Sequence, residues 1–331
     1  MAAKKKKTYW MGFDLGGTKM QATVYDARFK DVGSVRVKTK AQEGSRLVMG
    51  RLLETVKDAL AHAQLKAGDL RGIGVGCPGP LDLNRGIVRT APNLGWKNVR
   101  LKEALEKALH CRAIIANDVD AGLYGEYRFG AAQGARCALG VFPGTGIGGA
   151  CVYEGRLFRG KVSSCMEIGH IPVQPGGRRC GCGQKGCLET VASRLALASE
   201  AAMAAYRGEA PRLLDLSGTN LNAIKSGTLA RAIDAGDKVV ELIIRNGARR
   251  LGLAIAGVVN LLAPDVIVLG GGLVEAMPKL FLGEVRDAVR EKAMKGFVSD
   301  LKIVPAKLGD EAGTLGAAAL VAEAVEAGTR G

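Results

Sequence analysis

GFDLGGTKMQATVYD, residues 12–26, reads as an apolar strand, a Gly-Gly-Thr turn and a second strand that ends in Val-Tyr and an acid. The plan returns at residues 140–154 as GVFPGTGIGGACVYE. Short apolar runs on either side of a glycine turn define a β-hairpin. Two such hairpins far apart in one chain suggest two related domains. A plainer reading, that any two glycine-rich hairpins look alike, stays open on the sequence alone. Around them, strand and helix signals alternate. Ser45 is placed to cap a helix whose apolar residues Leu52, Val56 and Leu60 recur every four positions. IGVGCPGP (73–80) is a strand running into a Gly/Pro loop, and PLDLNRGIVRTAPN (80–93) reads as loop. AIIAND (113–118) is a buried strand with polar residues at its end. Residues 237–263 form one long helix stopped by Pro264, DVIVLGGGL (265–273) is a strand opening onto glycines, and 312–326 is a helix of small residues. The class is α/β.

With 331 residues, 47% of them hydrophobic, the chain suffices for one large or two ordinary domains. The longest apolar run, 251–263, contains Asn260 and falls short of the roughly 20 residues that cross a bilayer. No apolar segment follows the Lys4–Lys7 cluster before Asp14, so no secretory signal is read and a cytoplasmic location is expected. The eight cysteines, scattered except for three at 180–187, suit that reducing compartment better than a disulfide framework. A net charge of +15 invites nucleic acid, but only Lys4–Lys7, read as a disordered solubilising tail, concentrates it, and aromatics make up 5%. Stacking platforms are therefore scarce, and an anionic small substrate such as a nucleotide suits the charge equally well.

Glycine lets backbone N–H groups approach an anion closely. Gly16-Gly17-Thr18-Lys19 and Gly144-Thr145-Gly146 add hydroxyls, and the first adds an ammonium, which is chemistry suited to phosphate. Neither is a Walker A loop. G-x-G-x-x-G occurs at Gly74/Gly76/Gly79 and Gly144/Gly146/Gly149, but no helix is read after either, so a dinucleotide fold fails on context. Asp14, just before the first turn, can hold Mg²⁺ beside a polyphosphate or make a simple Asx contact; both stay open.

CGCGQKGC (180–187) supplies three thiols, and His170, one of only three histidines, lies just upstream in MEIGHIPV. Cys180, Cys182, Cys187 and His170 make a Cys₃His set for zinc, closed and therefore structural. Arg178, Arg179 and Lys185 offset its negative charge. Glu167 and Glu189 flank the ligands, so folding this segment around one ion draws two carboxylates toward a place where several hydroxyls could bind. At the end of the 113–118 strand, Asn117 and Asp118 should open onto a ligand. Asp118 could take a proton from an attacking hydroxyl, or Asp118 or Asp120 could merely cap the helix beginning near Val119. A helix N-terminus would lower the pKa of Asp118.

Taken in order, DLGGTK, GCPGPLD, APNLGW, ANDVDA, GTGIGG, EIGH, CGCGQKGCLE and VLGGGL resemble the ROK family of repressors and sugar kinases over nearly the whole chain. The resemblance implies the two-domain actin-like, ribonuclease-H-like sugar-kinase fold with a structural zinc loop. It implies a smaller domain of residues 1–117 and 312–331, and a larger one of 118–311 carrying the zinc loop and nucleotide contacts. It implies Asp118 as the base acting on a hexose 6-hydroxyl, with Gly79, Asn93, Asn117, Glu167, His170 and Glu189 as sugar ligands. His170 would then serve zinc through one ring nitrogen and sugar through the other. Asp14, Gly16, Gly17, Thr18, Lys19, Gly144, Thr145 and Gly146 match the sites for Mg-ATP phosphates, and Gly271 and Gly272 fall where the family holds adenosine. RTAPNLGW resembles the glucokinase branch, which makes glucose the first choice. Fructose, mannose, an N-acetylhexosamine, or polyphosphate as donor are the alternatives, with a non-catalytic sugar sensor or a repressor behind them. The first hairpin begins at Tyr9, which leaves no room for a helix-turn-helix, and retention of Asp118 argues for an enzyme. A homo-oligomer, dimer or tetramer, is implied, with no nucleic-acid or membrane partner. Pro143, Ala150 and Met166 depart from the family pattern, Met166 beside a sugar ligand.

Overall fold

The computed structural model describes residues 9–161 and 165–328; the Lys4–Lys7 cluster lies outside the described residues. The chain divides into two compact units, one built from the stretch up to Gln133, Arg156–Cys165 and the chain from Leu308, the other from Gly134–Gly155 and Met166–Lys307.

In the first unit, β1 (Tyr9–Leu15) and β2 (Lys19–Tyr25) form the first hairpin, extended by β3 (Asp31–Lys38). On its other side β1 pairs in parallel with β4 (Leu70–Cys77). The segment between Leu81 and Val99, expected as loop over residues 80–93, is instead a small antiparallel sheet of β5 (Leu81–Asp82), β6 (Ile87–Ala91) and β7 (Trp96–Val99). Leu81, Val88, Ala91 and Trp96 are buried, and Asp82 accepts from the Arg85 N–H at 3.1 Å to close the turn. Its polar turn residues hid this hairpin from a periodicity reading. β8 (Arg112–Asn117) completes the main sheet in parallel with β4.

One face of that sheet packs on the helix Ser45–His62 through Val48, Leu52, Val56 and Leu60. Gly44, and not Ser45, is the N-cap of this helix, because Ser45 already has helical geometry. On the other face lies the small-residue helix Ala312–Gly328. A methyl at Gly12 or Gly74 would overlap the carbonyl oxygens of Thr314 or Ala317, and one at Gly316 that of Ala121. The glycines of the 73–79 stretch thus include one that lets a helix lie directly on a strand. The helix Asp118–Phe129 packs against the same C-terminal helix, and Glu126 Oε1 accepts from the Leu308 N–H at 2.8 Å. This is why the first unit extends to Gln133 and resumes at Leu308, where the sequence reading divided the chain after residues 117 and 311.

In the second unit β9 (Cys137–Pro143) and β10 (Ile147–Tyr153) form the second hairpin. β9 pairs in parallel with Val266–Leu269, which pairs in parallel with Lys302–Pro305. The echo seen in the sequence is therefore a repeated topology: each hairpin's first strand has its antiparallel mate on one side and a parallel strand on the other. The long helix Lys238–Leu262 buries Val240, Ile244, Leu251, Ile255 and Val259, and ends at Ala263 (φ 43°) just before Pro264. Among the described residues no helix is long and apolar enough to cross a membrane.

Candidate functional site

The first unit gathers its polar groups at the C-terminal edge of β1, β4 and β8. The register sets Asp14 opposite Gly76 on one side of β4 and Asn117 opposite Cys77 on the other. A methyl at Gly76 would crowd Ala121 Cβ at 3.2 Å, so glycine lets the helix Asp118–Phe129 lie close to β4. Asn117 is the N-cap of the following helix: its Oδ1 accepts from the N–H groups of Val119 (2.9 Å) and Asp120 (3.3 Å). Neither Asp118 nor Asp120 is that cap. With its oxygen so engaged, Asn117 keeps its amide hydrogens to donate. Asp118 Oδ1 accepts from the Val119 N–H at 3.0 Å. Burial nevertheless holds the Asp118 carboxyl above its ordinary value, outweighing the lowering by backbone N–H groups that the helix start was expected to produce. Asp14 is raised to about 7, by burial first, then by the charges of Asp118 and Asp310, with Arg36 opposing. The buried Cys77 thiol is pushed up by burial and by both aspartates. Asp14 and Asp118 thus share one electrostatic environment.

At the first turn the Gly16 N–H donates to Lys19 O at 3.0 Å, and Thr39 Oγ1 donates to Gly16 O at 2.6 Å. Lys19 pairs with Asp310 at 3.3 Å, as does Arg36 at 2.8 Å. The Lys19 pair is exposed and worth at most about 1 kcal/mol. Asn93, in the turn Pro92–Leu94, lies against Gly17: a methyl there would come within 3.0 Å of Asn93 Nδ2. Gly79 sits beside Leu81 where the small sheet begins.

In the second unit, the Gly144 N–H donates to Gly146 O at 2.8 Å, and Ile147 N–H donates to Glu189 Oε2 at 3.0 Å. Glu189 so abuts the turn that a methyl on Gly146 would overlap Oε2. Arg194 Nη2 donates to Thr145 Oγ1 at 2.9 Å. Gly271 (φ 84°) approaches Pro143, where a methyl would meet the Pro143 carbonyl oxygen at 2.8 Å, and Gly272 begins the short helix Gly272–Ala276. The second and third glycine stretches are therefore neighbours, a closeness that separation in sequence conceals.

His170 ends the 3₁₀ turn Ile168–His170, with Glu167 exposed just before it and Met166 held at φ 66°. The donor atoms of His170, Cys180, Cys182 and Cys187 all lie within 4.8 Å of one another. Cys180 Sγ is 3.5 Å from His170 Nδ1, and Cys182 Sγ is 3.7 Å from Cys187 Sγ. A zinc tetrahedron with Zn–S of about 2.3 Å and Zn–N of about 2.0 Å has edges of about 3.5–3.8 Å, so the four residues fit the ion. With Nδ1 turned to the sulfurs, Nε2 is left for another partner. Gly186 (φ 75°) is required in this loop, because a methyl there would overlap Gln174 O. Glu189 Oε1 lies 3.7 Å from Cys180 Sγ, so one carboxylate touches both the metal loop and the second glycine turn.

The anticipated site residues are thus shared out: Asp14, Gly16, Gly17, Thr18, Lys19, Gly79, Asn93, Asn117 and Asp118 belong to the first unit, the remainder to the second. Arg194, Thr39 and Asp310 escaped the sequence reading, since no spacing ties them to the turns they contact.

Two α/β units, each headed by a glycine-turn hairpin, one with buried carboxylates and the other with a Cys₃His loop, define the class. The model of the ROK family matches residues 10–324, and the chain belongs to that family. It is 32% identical over 316 residues to a glucokinase of Thermotoga maritima, covering 95% of this chain and 98% of that one. The structure of a ROK family glucokinase from Streptomyces griseus, in complex with glucose and AMPPNP, aligns with a TM-score of 0.81 at 31% identity over 94% of this chain and 98% of that one. A ROK family transcriptional regulator, a homologue of the Escherichia coli MLC protein, aligns with a TM-score of 0.85 at 28% identity over 96% of this chain and 78% of that one.

Proposed function

We propose that the protein transfers the terminal phosphoryl group of Mg-ATP to the 6-hydroxyl of a hexose, with glucose as the preferred acceptor. The observation that carries this reading is Asp118, a buried carboxylate of raised pKa at the end of β8, beside an Asn117 whose amide is free to donate. Asp118 accepts the hydroxyl proton as the sugar oxygen bonds to the terminal phosphorus and the bond to the departing ADP breaks. Because such transfer is loose, positioning and charge stabilisation contribute more than early proton removal. Asp14 is the residue that would hold Mg²⁺, directly or through water, and the cation supplies neutralisation of the phosphate oxygens when bound. Lys19 and the two glycine turns take the phosphates, and Gly271 and Gly272 the adenosine. The family resemblance makes Gly79, Asn93 and Asn117 of the first unit, and separately Glu167, His170 and Glu189 of the second, the candidate sugar ligands. His170, Cys180, Cys182 and Cys187 would hold zinc, which would fix the loop that carries His170 and leads to Glu189. The similarity to glucokinases supports glucose and ATP; a cytoplasmic location and a homo-oligomer complete the reading.

Sugar-phosphate formation by the purified protein with Mg²⁺, across hexoses and N-acetylhexosamines and with ATP against polyphosphate, tests this. Glucose with ATP should stand clearly above the rest. Turnover of another sugar would move the assignment of substrate, and sugar binding without turnover would make the protein a sensor.

A further inference from the structure

The second glycine turn carries a cation that no motif in the sequence pointed to. Arg194 is the first residue of the helix Arg194–Tyr206, whose cap, Ser193, accepts from the Ala196 N–H at 3.2 Å. Its backbone N–H donates to Gly144 O at 2.9 Å, and its Nη2 donates to Thr145 Oγ1 at 2.9 Å. Arg194 is thus tied to the turn from both ends. A guanidinium only donates, so the Thr145 hydroxyl must accept from it, and its own proton points elsewhere. Two turn amides, those of Gly144 and Ile147, are already committed to Gly146 and Glu189. Side-chain donors therefore carry more of any anion's coordination here than glycine spacing suggests. Lys19, the cation of the first turn, is paired with Asp310, whereas among the described residues Arg194 has no carboxylate partner.

We propose that Arg194 is a donor-recognition residue. Its guanidinium meets the phosphate chain of the phosphoryl donor at the second turn, and it orients the Thr145 hydroxyl to donate to the same chain. This rests on the kinase reading above and deepens it: the ligand is a linear polyphosphate chain, carried by a nucleotide or free.

The test is steady-state kinetics at saturating glucose, with Mg-ATP and with inorganic polyphosphate in parallel arms, for wild type, Arg194→Ala, Arg194→Lys and Thr145→Val. Loss of a hydrogen bond to a charged group predicts a rise of about 10- to 100-fold in donor KM for Arg194→Ala, with glucose KM unchanged. Arg194→Lys should recover only part, since an ammonium keeps the charge but lacks the planar fork. Arg194→Ala combined with Thr145→Val should cost less than the sum of the two. A rise confined to the ATP arm assigns the contact to the nucleotide's phosphates; a rise in both assigns it to the shared chain. An unchanged donor KM, or an equal rise in glucose KM, would overturn the proposal while leaving the kinase standing. If the wild type forms glucose phosphate from neither donor, the kinase reading fails by itself. Calorimetric titration with inorganic tripolyphosphate then decides: weaker binding by Arg194→Ala sustains the proposal, and equal binding overturns it.

Discussion

The two hairpins have the same strand pairing and opposite surroundings. At the first turn, Asp14 stands in a carboxylate-rich pocket with Asp118, while Lys19 and Arg36 are held by Asp310. At the second turn the neighbours are Arg194, held by a hydroxyl, and Glu189, which also reaches the metal loop. An added methyl at Gly16 would meet backbone, Lys19 O at 2.8 Å, whereas one at Gly146 would meet only the end of the Glu189 side chain. The repeat thus preserved topology, and the chemistry diverged through groups from other parts of the chain: Asp118 and Asp310 for one turn, Glu189 and Arg194 for the other. The first turn thus lies among carboxylates, and the second beside a guanidinium and the Cys₃His loop.

The largest expected effect tests that division. Asp118→Ala should fold, keep its zinc and lose turnover by about 10³-fold, read by ADP formation, because a general base contributes roughly 10²–10⁴. Cys182→Ala should break the other unit: zinc content and glucose affinity fall together, measured by metal analysis and calorimetry. Intact glucose affinity without metal would remove the link between the zinc loop and the sugar. Gly146→Ala displaces Glu189 and should raise glucose KM about tenfold, the scale of one disturbed charge-assisted hydrogen bond. Gly144→Ala, whose methyl meets no protein atom within 4 Å, should leave glucose KM unchanged, whatever it does to the donor.

The remaining effect is on stability and not on turnover. The folded pKa of Asp14, about 7, lies above the roughly 3.9 of an unfolded aspartate. The folded state therefore binds the extra proton, and stability falls as pH rises from about 4 to 7, then stays lower. Asp14→Asn lifts this penalty: without Mg²⁺ its melting temperature should exceed that of wild type at pH 8, and the gap should close at pH 4. A gap of equal size at both pH values would show that burial of the charge is not the cause.

Much of this was legible before any coordinates. Both hairpins, the 237–263 helix stopped by Pro264 and the Cys₃His set follow from periodicity, a helix breaker and ligand spacing. The β5–β7 sheet was not legible, because its polar turn and the prolines around it outweigh short runs such as Ile87-Val88. The unit boundary was missed for another reason. What holds Asp118–Phe129 to the first unit is a glycine-mediated helix contact near Gly316 and a bond from Leu308 to Glu126, both long-range. Asn117, expected as a sugar ligand, is the cap of the helix Asp118–Phe129, a role that the same residue type serves and that its place in the sequence did not reveal. The lowering expected for Asp118 failed because burial, invisible in one sequence, exceeds the effect of a helix start.

The most direct test of the central claim is ADP formation from glucose and Mg-ATP by wild type and Asp118→Ala, with zinc content and glucose binding measured on the same samples. The account predicts an active wild type and a variant that retains zinc and glucose yet is slower by about three orders of magnitude. A variant with near-wild-type turnover, or one that loses glucose and zinc along with activity, would contradict it.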